Sequence, residues 1–309
     1  MAVAVSTMQP TGRAMWRKFV NFVMLSLCGL SALLAIVVLG LVLYFLVSRG
    51  ISHISPRFFT RVPNHDDEMA GGMAQSIFGT LVLLGLASCV GLPFGILGGI
   101  YQIESRGRFA STVRFFTDVL NGIPSIVIGI FVYAIAVLPA AKLHPGTGYS
   151  AQAGGLALGI MMIPTVMRTT EEILKLVPFS MTEASLGLGA TRWRTMWSVV
   201  LPAARGGIIT GVMLALARIA GETAPLLFTI LGSEYFSTHA ATILGVHAHL
   251  PTLNAPIDAL PLRIYNYATG IDPDQQNLAW AGALVLISMI LVFSIAARFA
   301  TRNKFMEEK

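Results

Sequence analysis

The stretch Glu183–Gly189, EASLGLG, is followed by Val199–Pro202, VVLP, and both lie in a loop between two strongly apolar segments. Arg192, Arg194 and Arg205 belong to the same loop. Because basic residues collect in short loops on the cytoplasmic side of a membrane, this loop is expected there. The apolar segments on either side of it therefore decide the fold of the chain.

Apolar residues dominate the composition. Hydrophobic residues make up 55% of the 309-residue chain and charged residues only 12%, whereas about a quarter of the residues in an ordinary soluble domain are charged. Such a chain is expected to lie in a lipid bilayer. Cys28 and Cys89 fall in apolar segments, so we interpret them as small apolar residues rather than as a disulfide framework.

Six apolar segments reach the length of about 20 residues that crosses roughly 30 Å of hydrocarbon. The fourth has a short apolar core interrupted by Pro164, which predicts a tilted or kinked helix supported by its neighbours. The chain is thus expected to be an all-α integral membrane protein with one domain at 20–299, short tails at 1–19 and 300–309, and a cytoplasmic loop at 174–206. The six predicted spans are 20–47, 76–103, 119–138, 153–173, 207–231 and 278–299.

Basic residues also predict the orientation of the spans. With six spans, fifteen of the 21 basic residues fall on the side of the termini, five fall on the opposite side, and Arg218 falls within the fifth span. Both termini are therefore expected in the cytoplasm; a five-span chain would place them on opposite sides. The net charge of +6 is explained by this asymmetry and by contact with anionic lipids, and no basic run with interleaved aromatic residues indicates nucleic acid.

A compact pair of helices is predicted within the loop. Ser180 stands three residues before Glu183, which is the spacing of a capping box at a helix start. Gly187 and Gly189 then predict a sharp end to a helix of about two turns.

A second helix is predicted to follow. Thr191 can cap its start, and Trp193 and Trp197 lie one helical turn apart on a shared face. Pro202 is expected to end it before the fifth span. Such a rigid body can transmit a push from a soluble partner into two membrane helices. The alternative is a structural loop with its tryptophans at the lipid headgroups.

The loop resembles the EAA loop of bacterial ATP-binding-cassette (ABC) importer permeases. The motif fixes six residue types at fixed offsets, which chance would produce roughly once per million start positions. Ser185 departs from it, because a second Ala is usual at that place. From about residue 71 to 298 the chain is also similar to the permeases of phosphate importers, most clearly in Pro124–Tyr133, Arg168–Glu171, Leu174–Pro178 and Ala217–Thr229.

This resemblance implies the six-helix, type I importer permease (MetI-like) fold and the role of one permease subunit in a phosphate importer. It also implies the partners: two ABC ATPase subunits, a second and similar permease, an external phosphate-binding protein and the surrounding lipids. In this family the short helix of the EAA loop docks into a groove of the ATPase. The coupling residues implied here are Glu183, Ala184, Ser185 and Gly189.

Two charged residues are predicted in the middle of the fifth span. Arg218 and Glu222 are one turn apart, where each charge costs about 2.5–3.5 kcal/mol and is normally paired or functional. For a phosphate cargo, Arg218 is the best candidate to bind the anion, because a guanidinium supplies fixed charge and a planar fork of donors. Glu222 would keep that site from trapping the anion, and Arg168 would be the next counter-charge. A purely structural ion pair, and a membrane-anchor role for Arg168, are the alternatives.

Several motifs are absent from the sequence. No Gly-Lys dipeptide occurs, so the chain lacks a Walker loop and is not expected to be an enzyme that hydrolyses ATP. All six histidines fall in predicted external loops, and neither a catalytic Ser-His pair nor a metal or cofactor site is expected. The alternatives that stay open are an ABC permease for another oxyanion, such as sulfate, molybdate or phosphonate, and an ion-coupled anion carrier or channel.

Overall fold

The computed structural model describes residues 12–63, 71–105, 107–143, 148–236, 238–243 and 246–302. The parts of the expected tails at 1–11 and 303–309 lie outside the described residues. The chain divides into two units, residues 1–49 and residues 50–309.

The first unit consists of most of helix α1, Gly12–Gly50. Its apolar side chains, among them Phe22, Leu25 and Leu30, are exposed. A long helix that is apolar on all sides is typical of a membrane span, in which such side chains face lipid.

The second unit is mainly helical. Two of its helices contain π-helical turns, at Tyr133–Val137 and Met196–Val200. Its α-helices are α2 (Pro56–Thr60), α3 (Ala74–Glu104), α4 (Arg108–Gly122), α5 (Ser125–Val132), α6 (Leu138–Leu143), α7 (Ala151–Lys175), α8 (Phe179–Gly187), α9 (Arg192–Thr195), α10 (Leu201–Ala220), α11 (Ala224–Thr229), α12 (Leu260–Thr269) and α13 (Pro273–Arg302).

A two-stranded antiparallel hairpin adds to the predicted all-α fold. Strand β1 (Thr238–Ile243) pairs with β2 (Val246–Pro251), so that Thr238 lies opposite Pro251 and Ile243 opposite Val246. The hairpin falls within the long external connection between the fifth and sixth predicted spans.

Close packing of α3 against α7 forms the centre of the second unit. A Cβ atom on Gly91, Gly95 or Gly99 of α3 would come within 2.6–2.7 Å of a side-chain atom of Met162, Val166 or Thr170 of α7, respectively. Small residues at four-residue spacing let two membrane helices approach in this way. The contacts advance along both helices in the same direction, so α3 and α7 are parallel.

Five of the described helices are long and apolar enough to cross a membrane. They are Met15–His53, Ala74–Glu104, Ser125–Leu143, Arg192–Ala220 and Pro273–Phe299. The fourth predicted span, which corresponds to α7, is not among them. However, α7 has 25 residues and fourteen of them are buried, so it does not need an apolar surface toward lipid. The count of six stays a prediction, and the parallel packing of α7 along α3 supports it.

The third apolar segment begins later than predicted. Residues 119–122 belong to the separate helix α4, and α5 starts only at Ser125. The reason is Pro124, because a proline disfavours helical geometry in the preceding residue. Ile123 accordingly has an extended ψ of 131°.

Candidate substrate pathway and coupling surface

The first helix of the 174–206 loop starts earlier than predicted. α8 begins at Phe179 with Pro178 as its N-cap, and no side chain caps it. The predicted capping box of Ser180 and Glu183 is therefore wrong, since both residues lie inside the helix. Pro178, with φ −56° and ψ 131°, fixes the extended geometry just ahead of the first turn.

The predicted turn after this helix is confirmed. Gly189 has a φ of +85°, in the left-handed region that favours glycine. The N–H of Ala190 then donates to the carbonyl of Ser185 over 3.2 Å, which closes the helix end. Thr191 caps the next helix as predicted, because its hydroxyl accepts from the N–H of Arg194 at 3.3 Å.

The second helix does not end at Pro202. A π-helical turn at Met196–Val200 joins α9 to α10, so the helix continues from Arg192 to Ala220. The N–H of Leu201 donates to the carbonyl of Met196, which shifts the hydrogen-bond ladder just before Pro202, the residue without an N–H. The prediction that Pro202 ends this helix is therefore wrong.

Polar and apolar side chains are exposed together on this loop. Glu183 and Ala184 are exposed, and the Glu183 carboxylate has no ion pair within the described part of the chain. Leu188 is 90% exposed, and the rings of Trp193 and Trp197 lie 5.4 Å apart on one face, as predicted. We call Glu183, Ala184 and Leu188, together with the tryptophan pair, the coupling surface.

Ser185 joins the two helices of the loop. Its hydroxyl oxygen lies 2.9 Å from that of Thr195, and Thr195 is only 2% exposed. The hydroxyl that departs from the EAA pattern thus has a partner inside the chain, and the hydrogen bond ties α8 to α9.

A buried carboxylate near the end of α7 gathers three cations. Glu171 is fully buried, and its Oε1 accepts from Arg114 of α4 at 2.8 Å and from Lys175 at 2.6 Å. Nη1 of Arg168 lies 3.5 Å from the other carboxylate oxygen, while Nε of Arg168 donates to Glu172 at 2.8 Å. This Glu171 cluster holds Arg168 close to α7 and connects α4 to α7. The spacing of three and four residues along α7 indicates the contacts of Glu171 with Arg168 and Lys175. The contact with Arg114 has no such signal, because that residue comes from another helix.

Arg218 and Glu222 are not paired. Helix α10 ends at Ala220, and Glu222 lies in the break before α11 begins at Ala224. Among the described residues, Arg218 instead donates from Nη1 to Oγ1 of Thr165 on α7, over 3.4 Å. The predicted spacing of one turn assumed a continuous helix, and the break removes it. Both Arg168 and the partner of Arg218 therefore lie on α7.

A second buried network, which the sequence did not predict, holds the external connection. Asp258 accepts from Ser76 at the start of α3 and from Nε of Arg263 at 2.8 Å. Arg263 also contacts Glu234 at 3.3 Å, so it ties α12 to the beginning of that connection. Burial raises the pKa of the Asp258 carboxyl above its ordinary value, and the Arg263 guanidinium acts against that shift. Burial alone would lower the pKa of Arg263, but the contact with Asp258 raises it.

A family model described as "Binding-protein-dependent transport system inner membrane component" matches residues 91–304. This range includes the coupling surface, the Glu171 cluster and Arg218. The chain belongs to this family and is a multi-pass protein of the inner membrane.

Curated relatives make the likeness more specific. The chain is 37% identical to the phosphate transport system permease protein PstA of Haemophilus influenzae, over 94% of this chain and 97% of the relative. It is 39% identical to PstA of Yersinia pestis, over 94% and 92% of the two chains. The resemblance to phosphate-importer permeases is thereby confirmed.

Solved structures share the fold at low sequence identity. A chain of a bacterial alginate ABC transporter, solved with a periplasmic protein bound to an alginate pentasaccharide, has a TM-score of 0.61 and 15% identity over 96% of this chain and 98% of that chain. A chain of the inward-facing MetNI methionine ABC transporter has a TM-score of 0.53 and 19% identity over 75% and 96%. The predicted MetI-like fold is confirmed.

Proposed function

We propose that this chain is one of two permease subunits of an ATP-driven phosphate importer. The observation that carries the proposal is the near full-length similarity, at 37–39% identity, to permeases named for phosphate transport. The names of these relatives favour phosphate over sulfate, molybdate or phosphonate as the cargo.

The partners follow from this role. ATP hydrolysis is supplied by two separate ABC ATPase subunits, the second permease is PstC-like, and an extracytoplasmic phosphate-binding protein delivers the anion. The coupling surface supports this assignment, because Glu183 and Ala184 are exposed on the short helix α8 and Leu188 is exposed directly after it. If the chain has the six spans and cytoplasmic termini that its basic residues predict, this surface lies on the side where ATP is available.

Arg218, Arg168 and Glu222 lie along the proposed substrate pathway. Arg218 is exposed on α10, so its guanidinium can supply positive charge and several N–H donors to an anion leaving water. Arg168 is 41% exposed and lies beside the Glu171 cluster, near the end of α7 that leads into the loop. The anion passes from one guanidinium to the next, and partial neutralisation of Arg168 by Glu171 and Glu172 keeps its hold weak enough for release.

Reconstitution tests this function. The chain is co-expressed with the partner permease and the ATPase, and the purified complex is placed in liposomes with the binding protein on one side and ATP on the other. Uptake of radiolabelled phosphate and ATP hydrolysis are then measured with phosphate or sulfate as the substrate. We expect uptake that requires ATP and phosphate-loaded binding protein. Uptake without nucleotide would indicate a carrier or channel, and stimulation by sulfate alone would indicate a different cargo.

A further inference from the structure

We propose that Asn121 and Thr165 line the anion pathway beside Arg218 and contact the transported anion directly. The inference rests on the proposed function, because it takes the cargo to be a phosphate-like oxyanion. It adds two neutral residues, neither of which the sequence pattern indicated, to the charged residues of the pathway.

Thr165 connects the other two side chains. Its hydroxyl oxygen accepts from Nη1 of Arg218 over 3.4 Å, and the hydroxyl is placed to donate to Oδ1 of Asn121 over 3.5 Å. The three residues come from α10, α7 and the last turn of α4. Three helices therefore meet in one group of polar side chains, which we call the polar layer.

Close packing of α7 against α10 fixes the position of Arg218 relative to Thr165. A Cβ on Gly207 would lie 2.5 Å from a side-chain atom of Ile173, and a Cβ on Gly211 would lie 2.8 Å from Oγ1 of Thr169. The two helices are thus in contact over the turns that precede Arg218. The backbone of α10 is thereby fixed against α7 about two turns before Arg218, and from there the guanidinium reaches the Thr165 hydroxyl.

The polar layer lies beside two breaks between helices. Asn121 directly precedes the break between α4 and α5, and Arg218 precedes the break between α10 and α11. The segments that follow the breaks pack together, because a Cβ on Gly129 would lie 2.6 Å from Cα of Pro225. Interrupted helices are tolerated in membranes where they line a cavity, and in transporters they commonly form the substrate site.

The chemistry of the layer suits an anion in transit. Asn121 and Arg218 keep N–H groups without a partner in the described part of the chain. One guanidinium with neutral donors can replace part of the hydration shell of phosphate, while a second full charge at the same place would slow release. Glu222 does not pair with Arg218, and the described contact that orients the guanidinium is the one with Thr165, which in turn contacts Asn121.

The test uses the complete complex in liposomes and measures phosphate taken up per ATP hydrolysed. Thr165→Val removes the hydroxyl at nearly constant volume, and Asn121→Leu removes the amide. Each is expected to lower the ratio about tenfold or more, as for the loss of a hydrogen bond to a charged group. Thr165→Ser is expected to restore it.

Thr169→Val is the matched control. The Thr169 hydroxyl is one turn further along α7 and donates to carbonyls of its own helix at 3.0 and 3.1 Å. We expect this variant to stay within about twofold of the wild type, since the hydroxyl bonds only to carbonyls of its own helix. Because the same side chain packs against Gly211 of α10, the variant also reports any effect of helix packing on transport.

Two results would overturn the inference. Wild-type uptake per ATP in both Thr165→Val and Asn121→Leu would exclude contact with the anion, and an equal loss in Thr169→Val would show that packing, not substrate contact, is affected. Arg218→Gln separates this failure from that of the proposed function. If Arg218→Gln loses uptake while the two neutral variants keep it, only the inference fails; if the wild-type complex takes up no phosphate, the proposed function fails as well.

Discussion

A single carboxylate, Glu171, organises the charges at one end of α7. Its contacts explain why several basic residues can lie close together near the membrane without repelling one another. Arg114, Arg168 and Lys175 keep 42%, 41% and 53% of their side chains exposed, whereas Glu171 has none of its side chain exposed. Water therefore screens the cations, and the buried group is the one that depends on its partners.

Replacing Glu171 with Gln is expected to destabilise the chain by about 1–3 kcal/mol, because three cations lose a shared carboxylate but remain partly solvated. Thermal unfolding of the complex in detergent measures the effect. Glu172→Gln is the control, since its side chain is 56% exposed and its pair with Arg168 is expected to contribute less than about 0.5 kcal/mol. Equal shifts for the two variants would contradict the assigned role.

Ser185 gives a second prediction at this scale. Ser185→Ala introduces the residue that is usual in the EAA motif but leaves the buried hydroxyl of Thr195 without its partner. The free energy of unfolding is expected to fall by about 1 kcal/mol. Thr195→Val should cost a similar amount, and the double variant less than the sum of the two. A double-mutant cycle on denaturant unfolding measures the coupling, and strict additivity would rule out the hydroxyl pair.

At the scale of whole elements, the features that the sequence predicts correctly depend on residues that are close together in the chain. Gly189, Thr191 and the tryptophan pair act within one or two turns, so the sequence predicted the turn, the cap and the shared face. The prediction that Pro202 ends the helix is wrong because a π-helical turn just before it lets the helix continue. Arg114 and Glu171 are 57 residues apart, and Ser76 and Asp258 are 182 residues apart. Only the tertiary packing brings these pairs together.

The close contact between α3 and α7 predicts that a larger residue at Gly95 lowers stability. Gly95→Ala places a methyl group within 2.6 Å of Cβ of Val166, so the helices must move apart. A loss of about 1–3 kcal/mol is expected, as for overpacking in a core. Gly85→Ala on the same helix meets nothing within 4 Å and should be neutral or slightly stabilising. Thermal unfolding of both variants, purified in the same detergent, decides whether the close approach is required.

At the scale of the whole molecule, the chain reads as the membrane part of a larger assembly. The coupling surface lies on and directly after α8 and at the start of the helix from Arg192 to Ala220. Glu171 and Thr165 lie on α7, and Arg218 lies near the end of α10. The basic residues and the loop motif predict which end of this arrangement faces the cytoplasm. The sequence could not predict the polar layer, since the layer depends on two helix breaks and on the packing of α7 against α10.

Glu183→Ala tests the assembly. The carboxylate is exposed and lacks an ion pair within the described chain, so its loss should leave the fold of this subunit unchanged and weaken binding of the ATPase by about tenfold or more. Co-elution of the ATPase with the permease pair in detergent measures this. Asp118→Asn, at another exposed carboxylate on α4, is the control. Full retention of the ATPase by Glu183→Ala would place the docking site elsewhere.

The uninterrupted helix from Arg192 to Ala220 has a mechanical consequence. Its 29 residues form a rod of about 43 Å, with the tryptophans at one end and Arg218 near the other. Trp193 and Arg218 are 25 residues apart, or about 38 Å along the helix. If the helix tilts by about 5° about its tryptophan end, the backbone at Arg218 moves by about 3 Å. The π-helical turn ends two residues before Pro202. It is the point at which the helix bends most easily, and a bend there would reduce the movement that reaches Arg218.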